Sequence, residues 1–500
     1  MSAPLENVTK ETLDAIAKAQ TTGILTGTGV YSYDLSPIVS LIPVNTPFRD
    51  KVARVRSTDG NPFAVWRAFM DTTQSQPDPS MGFDFAANEV IFQEQDFQAR
   101  YKPTGLAGLA TQDAFDLGIG YADPFQAATF QTLNQVLIGD DRKLIGGQSF
   151  ALTRPAAPTI AQAASGGTIG ATTVHVGVAA RTGSGYYYGS GNSRGNSAST
   201  VFASGTTNSL TATVGAVRGA VCYDWFQSAN GVTWYYYTTT TVNTVTFNKV
   251  IAANQALPTG TAVPDLTTSW KGTLNTVPTF DAAVDNGSAN ANDYDGFMAS
   301  LSGDYNGAGQ WVTAGTGTAN PSVYKSLDGA ALTLAGGTVA EIEDYIFLPL
   351  WNAIKASPTA LMMNAAHAQQ IANLVLASSA ATTFLNTDAG GRISVTAGGR
   401  VGEIVNAPAG GVTVPIEVHT SLPPGTIIAR TDRVPFPQAN IQNVLEYRNL
   451  RDTDQFDYGV SRIAGVAGGG PRREFEIRSV GAFVNRAPVA MATLSSVGGQ

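Results

Sequence analysis

The stretch that most limits what this chain can fold into runs from Asp123 to Gly147, DPFQAATFQTLNQVLIGDDRKLIGG. Its spacing predicts one long helix. Asp123 suits the N-cap, and Pro124 suits the first helical position, where a missing N–H costs nothing. Phe130, Leu133, Leu137 and Leu144 fall on one face at helical spacing, and Asp140 to Lys143 are polar. Gly146–Gly147 is expected to stop the helix in a left-handed conformation. At 1.5 Å per residue the rod would be about 35 Å long. The neighbouring segments must be arranged around it.

Upstream, residues 1–20 carry a short helical pattern with Leu13 and Ile16 on one side, and residues 21–50 read as an extended arm. Residues 62–72 and 87–101 have strand character, separated by a turn-rich tip from Thr73 to Ala86. This is a long two-stranded hairpin, and such a hairpin alone is marginal in water. Phe63, Trp66, Phe69 and Phe92 supply apolar area for a partner surface or for the chain's own core.

Downstream, residues 155–268 hold six charged side chains after Pro155 and are dominated by Thr, Ser, Gly and Tyr. Short alternating strands at 173–181, 220–227 and 232–247, with turn signals between them, predict an inserted β-sandwich of immunoglobulin-like or fibronectin-like type. The chain then returns to a mixed α+β body. Thr338 and Glu341 have capping-box spacing, and Ile342, Ile346, Leu350 and Ile354 form a stripe that Pro349 interrupts. Residues 359–364 read as a short buried strand, 365–378 as a helix, and 440–459 and 472–485 as long β-rich segments.

Five hundred residues are ample for several cores. Charged residues make up 14% of them, where about 25% is usual. That scarcity suits a chain with extensive subunit contacts and a hydroxyl-coated insertion. A net charge of −8 argues against gripping duplex DNA through a basic face. Cys222 is the only cysteine, so an intrachain disulfide is excluded and a small buried residue is expected. Residues 1–30 lack signal-peptide character, and no apolar run has membrane-spanning length. Folding in a cytoplasm is therefore expected. The sequons at Asn7 and Asn286 are given no weight without a secretion signal.

Catalytic constellations are scarce. His175, His367 and His419 stand apart from one another and from other metal ligands, so core or solvated roles are expected. Gly191-Asn192-Ser193-Arg194-Gly195 matches the nucleophile-elbow string, but no helix follows it. Asp293-Tyr294-Asp295-Gly296 lacks the first and last ligands of a calcium loop and reads as a helix-entry turn. Trp225, Trp234 and the triplets Tyr186–Tyr188 and Tyr235–Tyr237 could line a glycan-binding face or fill the sandwich core. The expectation is no catalytic, cofactor-binding or metal-binding residue, and no cofactor.

The order of parts, together with the run SLDGAALTLAGGTVAEIEDYIFLPLWNAIKASPTALMMN at 326–364, the helix at 365–378 and VHTSLPPGTIIARTDRV at 418–434, resembles the major capsid proteins of tailed bacteriophages with the Hong Kong 97-type fold. The resemblance implies an N-terminal arm (1–50), an extended hairpin loop (51–108), the spine helix of a peripheral domain (109–154), the inserted sandwich (155–268), more peripheral domain (269–337), an axial domain (338–424) and the peripheral return with the C-terminus (425–500). It implies a non-enzymatic virion protein, assembled in the host cytoplasm into hexamers and pentamers. These would form an icosahedral head enclosing double-stranded DNA without sequence-specific binding. The hairpin would lie across an adjacent subunit and the insertion would project outward, available to glycans or a host surface. Portal, scaffolding and decoration proteins would be further partners, and no membrane is involved. Some such proteins crosslink a hairpin lysine to an asparagine; here the tip has no lysine and Lys102 sits at its base, so no crosslink is expected. About 45 residues precede the hairpin, so no large cleaved pro-segment is expected. The rivals are a secreted carbohydrate-binding sandwich protein, a serine hydrolase resting on Ser193, and a shorter cargo-shell relative.

Overall fold

The structure is a computed structural model. It describes residues 44–57, 60–72, 80–81, 83, 92–118, 123–188, 195–231, 234–252, 292–335, 338–377, 401–434, 443–461 and 471–499. Residues 1–43 of the expected arm, Ser193, both sequons and all but three residues of the hairpin tip lie outside them; the described end of the arm includes a short helix, Pro47–Lys51, where an extended segment was expected. The chain divides into two compact units, one including Lys102–Asp141 and Asn449–Gly481, the other including Pro47–Tyr101, Arg142–Arg448 and Ala482–Gln500.

In the first unit, strand Lys102–Thr111 pairs antiparallel with Arg472–Asn485, from Lys102 opposite Gly481 to Thr111 opposite Arg472. Strand Leu445–Ser461 flanks Arg472–Asn485 on its other side. The helix spans Pro124–Gly146, close to the expected bounds. Asp123 caps it: its Oδ1 accepts from the backbone N–H of Phe125 (2.9 Å) and Gln126 (3.3 Å). The buried face differs from the expected one. Phe125, Ala128, Leu133 and Val136 pack on Phe475 and Ile477, while Phe130 is 56% exposed. Phe130 stands five residues from Phe125, about 140° round the helix, so both cannot face one sheet. The Phe125 and Phe475 rings meet edge to face at 5.1 Å. A Cβ at Gly108 would fall 2.3 Å from the Phe475 ring, so this seat requires glycine.

In the second unit, six strands form one mixed sheet in the order Val323–Ser326, Ala492–Ser495, Ile427–Arg430, Ala360–Met363, Val412–Val418, Glu403–Asn406. The expected short strand is its inner Ala360–Met363, antiparallel to Ile427–Arg430 and parallel to Val412–Val418. Strand alternation splits its side chains between two cores. Leu361 and Met363, with Ile427 and Ala429 opposite, join the helical stripe Ile342, Ile346 and Leu350. Met362 and Ile428 turn the other way, toward Phe48, Phe297 and Phe483.

The helical stripe holds, but its start does not follow the capping box. Thr338 lies in a two-residue strand, Val339 is the N-cap, and Glu341 accepts from the Thr333 N–H (2.8 Å) and hydroxyl (2.6 Å). The helix takes a π turn at Glu343–Phe347 before continuing as Leu348–Ile354. Pro349 cannot donate to the preceding turn, and widening that turn accommodates the missing bond. Lys355, at φ 54, ends it in the left-handed cap that was expected at Gly146–Gly147. Those two glycines do not have positive φ. They are needed for close approach instead: a Cβ at Gly146 would lie 2.8 Å from the Gly183 backbone, and one at Gly147 would lie 2.6 Å from the Tyr294 carbonyl.

The insertion is a two-sheet sandwich. Tyr235–Thr240, Cys222–Ser228, Thr173–Arg181 and Asn196–Val201 form one sheet, and Thr244–Phe247, Ser209–Thr213 and Thr159–Ala163 the other. Numbered along the chain, the sheets read 6-5-2-3 and 7-4-1, a partition unlike the 1-2-5-4 and 3-6-7 of an immunoglobulin constant domain. Val176, Val178, Trp225, Leu210 and Phe247 share its core. It is bonded to the body in several places. Arg218 donates to the Leu301 carbonyl (3.0 Å) and Ser322 Oγ (3.1 Å), and Asn243 Nδ2 donates to Asp328 Oδ1 (2.9 Å).

Candidate assembly surfaces

The hairpin strands Phe63–Thr72 and Phe92–Arg100 pair from Phe63 opposite Arg100 to Thr72 opposite Phe92. The base packs on its own chain. Trp66 stacks on Phe97 at 5.6 Å, and Phe97 meets Trp311 at 5.6 Å and Tyr305 at 5.3 Å. The Gln98 N–H donates to the Gly309 carbonyl at 3.1 Å. A Cβ on Gly309 (φ +76) would lie 1.8 Å from the Asp96 carbonyl, so the seat is built for contact. Trp66 is thus used internally, where a partner surface was one of the expectations. The outward side carries Val65, exposed, and Arg67 bonded to Asp96 (2.6 and 3.0 Å) and to Glu94 (3.3 Å). The described tip residues Met81 and Phe83 are exposed.

Strand Leu445–Ser461 offers a second bare surface. From Leu450 to Val460 no residue is buried, and Leu450, Tyr458 and Val460 are largely exposed. Side-chain bonds tie it to its neighbour, Arg473 to Asp457 and Tyr458 Oη to Glu476 Oε2 (2.8 Å). The strand lies between Ala53–Arg56 and Arg472–Asn485 in its sheet, and from Leu450 onward it presents a mixed polar and apolar set of exposed side chains to another chain.

A third feature is a cavity of about 440 Å³ lined by Lys51, Val52, Ala53, Thr359, Arg430, Asp432, Arg433, Asn443, Val444 and Leu445. Lys51 pairs with Glu417, and buried Arg430 reaches Glu417 (3.3 Å) and Asp432 (3.0 Å). Burial would raise the Glu417 carboxyl, but bonds from His419 and Lys51 and the charge of Arg430 outweigh it and hold it at about 2. The cluster fastens the helix Pro47–Lys51 to the six-stranded sheet.

The motifs singled out in the sequence have structural settings. His367 is buried; its Nε2 accepts from the Gly425 N–H (2.8 Å) while its Nδ1 faces Gln370 Oε1 (3.2 Å). Burial lowers its pKa, and as a neutral ring it holds the LPPG turn, with Gly425 at φ +87. His419 is also buried, 3.4 Å from Glu417. Asp293 and Asp295 form the helix-entry turn and clasp the end of the long helix. Asp293 pairs with Lys143 (3.1 Å) and accepts from Ser184 Oγ (2.9 Å), and Asp295 accepts from the Ser149 N–H (2.8 Å). Cys222 is buried, and burial first and Asp224 second push its thiol well up. Trp225, Trp234 and Tyr236 are buried in the insertion, which removes them from any sugar-facing surface. Lys102 stands opposite Gly481 in the first unit's sheet, rather than in the hairpin.

Sequence reasoning missed two charge clusters, the one at Glu417 and the buried pair Arg181–Asp224, which also receives Thr239 Oγ1 at 2.6 Å. Their signal was present: single charges inside otherwise apolar or hydroxyl-rich strands, which burial permits only when paired. Among the described residues no group of His, Cys, Asp and Glu could hold a metal, and no helix is long and apolar enough to cross a membrane.

No protein-family model matches the chain, and no curated protein matches it. Solved structures similar to it include capsids. The capsid of an empty GTA particle is 9% identical with a TM-score of 0.40, over 94% of this chain and 96% of that one. The cyanophage A-1(L) capsid is 10% identical with a TM-score of 0.41, over 94% and 98%. The capsid of Myoviridae phage XM1 is 8% identical with a TM-score of 0.37, over 93% and 96%.

Proposed function

We propose that this chain is a shell-forming subunit, a major capsid protein of the tailed-phage type. Copies of it would build hexamers and pentamers of an icosahedral head around double-stranded DNA. The observation that carries the reading is an imbalance within one chain. The body has two closed cores, yet the strand from Leu450 to Val460 has no buried residue. A subunit meets that description when copies of itself complete its surface. Many weak contacts per subunit then sum to a stable closed shell. The arrangement Lys102–Thr111, long helix, sandwich, π-containing helix, inner strand and LPPG turn follows the order of parts on which the sequence resemblance rests.

In this reading residues 338–424 face the capsomer centre and 155–268 stand outward. Residues 51–108 reach a neighbour with the part of the hairpin beyond its anchored base. Portal, scaffolding and decoration proteins would complete the virion. The role is structural rather than enzymatic, and the shell carries no covalent link through Lys102. Negative-stain microscopy and sedimentation of the purified protein test the proposal: closed shells or capsomers are expected, and a monomer under all assembly conditions would refute it. A denaturing gel of the particles should show single-subunit bands; ladders would exclude the uncrosslinked shell.

A further inference from the structure

The cavity beside Lys51 carries one charge more than its own residues balance. Lys51 and Arg430 are matched by Glu417 and Asp432. Arg433, exposed on the lining, has no hydrogen bond or ion pair among the described residues. Val52, Ala53, Val444 and Leu445 give the same cavity an apolar wall. Its volume of about 440 Å³ has room for a ring and an adjoining polar group. A cation beside an apolar wall selects a segment that presents a carboxylate and an apolar side chain close together.

The exposed strand of the first unit presents such a segment. Asp457 is taken by Arg473, and Asp452 accepts from Asn449 Nδ2 at 2.6 Å. Asp454 accepts only the N–H of its neighbour Gln455 (2.9 Å) and has no cationic partner among the described residues. Phe456, two residues on, lies on the same side of the strand and is half-exposed, with the Arg451 guanidinium over its ring, 5.5 Å from the centroid. The segment Asp454-Gln455-Phe456 therefore offers an unmatched carboxylate about 7 Å along the strand from a ring.

We infer that the Arg433 cavity of one copy receives the Asp454–Phe456 segment of a second copy. Arg433 pairs with Asp454, and the Phe456 ring covers the apolar wall. The inference rests on the shell reading and names a surface within it. Opposite charges brought together at such a rim set register and rule out wrong pairings, because like charges placed there are strongly unfavourable. Both groups are exposed in the single chain, so assembly should weaken as salt rises.

The test is a charge swap in the full chain, read by sedimentation and negative-stain microscopy. Arg433→Glu and Asp454→Arg should each lower shell yield about tenfold or more, and the double variant should recover to within about threefold of the parent. The neutral pair Arg433→Gln and Asp454→Asn should show the same non-additivity if the reversed charges impair folding. Assembly of either single reversal at parental yield would overturn the inference. So would a double variant no better than the worse single, with strictly additive neutral variants; the shell reading would survive both results. If the parent forms no shells, both fall together.

Discussion

Two sheets in this chain are built from different residues and finished differently. Every residue of Ala360–Met363, Ile427–Arg430 and Ala492–Ser495 is buried, whereas none is buried from Leu450 to Val460. The inner strands of the six-stranded sheet are covered on both faces by cores of the same chain. The strand Leu445–Ser461 lies between Ala53–Arg56 and Arg472–Asn485, and its side chains from Leu450 to Val460 stay exposed or half-exposed. Both are strands, but the first set is apolar and covered, while the second carries Asp452, Asp454 and Asp457 and stays exposed. Stability should concentrate in the first sheet and association in the second, and substitutions can separate the two.

The largest effect is expected inside the insertion, which is finished like the six-stranded sheet. Arg181→Met leaves Asp224 buried without its partner and should cost about 3–5 kcal/mol, measured by denaturant unfolding. Joining it to Asp224→Leu should recover most of that loss. In the six-stranded sheet, Leu361→Ala opens a cavity between two covered faces and should cost about 2–5 kcal/mol. A cost below about 1 kcal/mol would mean that the sheet is not closed as described.

Acid should act next. The Glu417 carboxyl sits at about 2 in the fold, against a usual 4.5. Its bonds therefore stabilise the fold fully above about pH 4.5, and that stability is lost as pH falls toward 2. Glu417→Gln should lower stability at neutral pH and flatten the pH dependence between 4.5 and 2, by on the order of 1–2 kcal/mol. An unaltered slope would remove Glu417 from the acid response. The smallest effect on the isolated chain belongs to the bare strand. Val460→Thr and Leu450→Ser should change unfolding by no more than about 0.5 kcal/mol while reducing shell yield. A large loss of monomer stability there would erase the contrast between the sheets.

Local chemistry was legible. Asp123 caps the long helix, the Ile342–Ile346–Leu350 stripe is buried, and Ala360–Met363 is an inner strand because short apolar runs bounded by turns leave few alternatives. Faces and stops were less so. Phe130 matches the helical period as well as Phe125 does, and only the position of Phe475 decides between them. Gly146 and Gly147 read as a left-handed stop, yet they are there because another backbone passes too close for a side chain. Thr338 and Glu341 have capping-box spacing, but Thr333 claims Glu341 first. Of the aromatics that suggested a sugar face, Trp225 and Tyr236 lie on strands, where alternation does not say which side is the core, and Tyr186–Tyr188 lie in a short helix. The assembly surfaces were only half visible: a hairpin was predicted, but not that Trp66 would be spent on Phe97 at its base.

Capping, periodicity and turn residues along the chain yield its parts: one long capped helix, a hairpin, a hydroxyl-rich sandwich, and a body whose apolar periods alternate between helix and strand. They do so because each acts over a few residues. Packing in three dimensions sets which side of each part is covered, how Glu417 gathers Lys51, His419 and Arg430, and that Arg433 and Asp454 have no ion-pair partner among the described residues. Those outcomes depend on groups far apart in the chain, such as Lys51 and Glu417, meeting at bonding distance, and no local pattern encodes that.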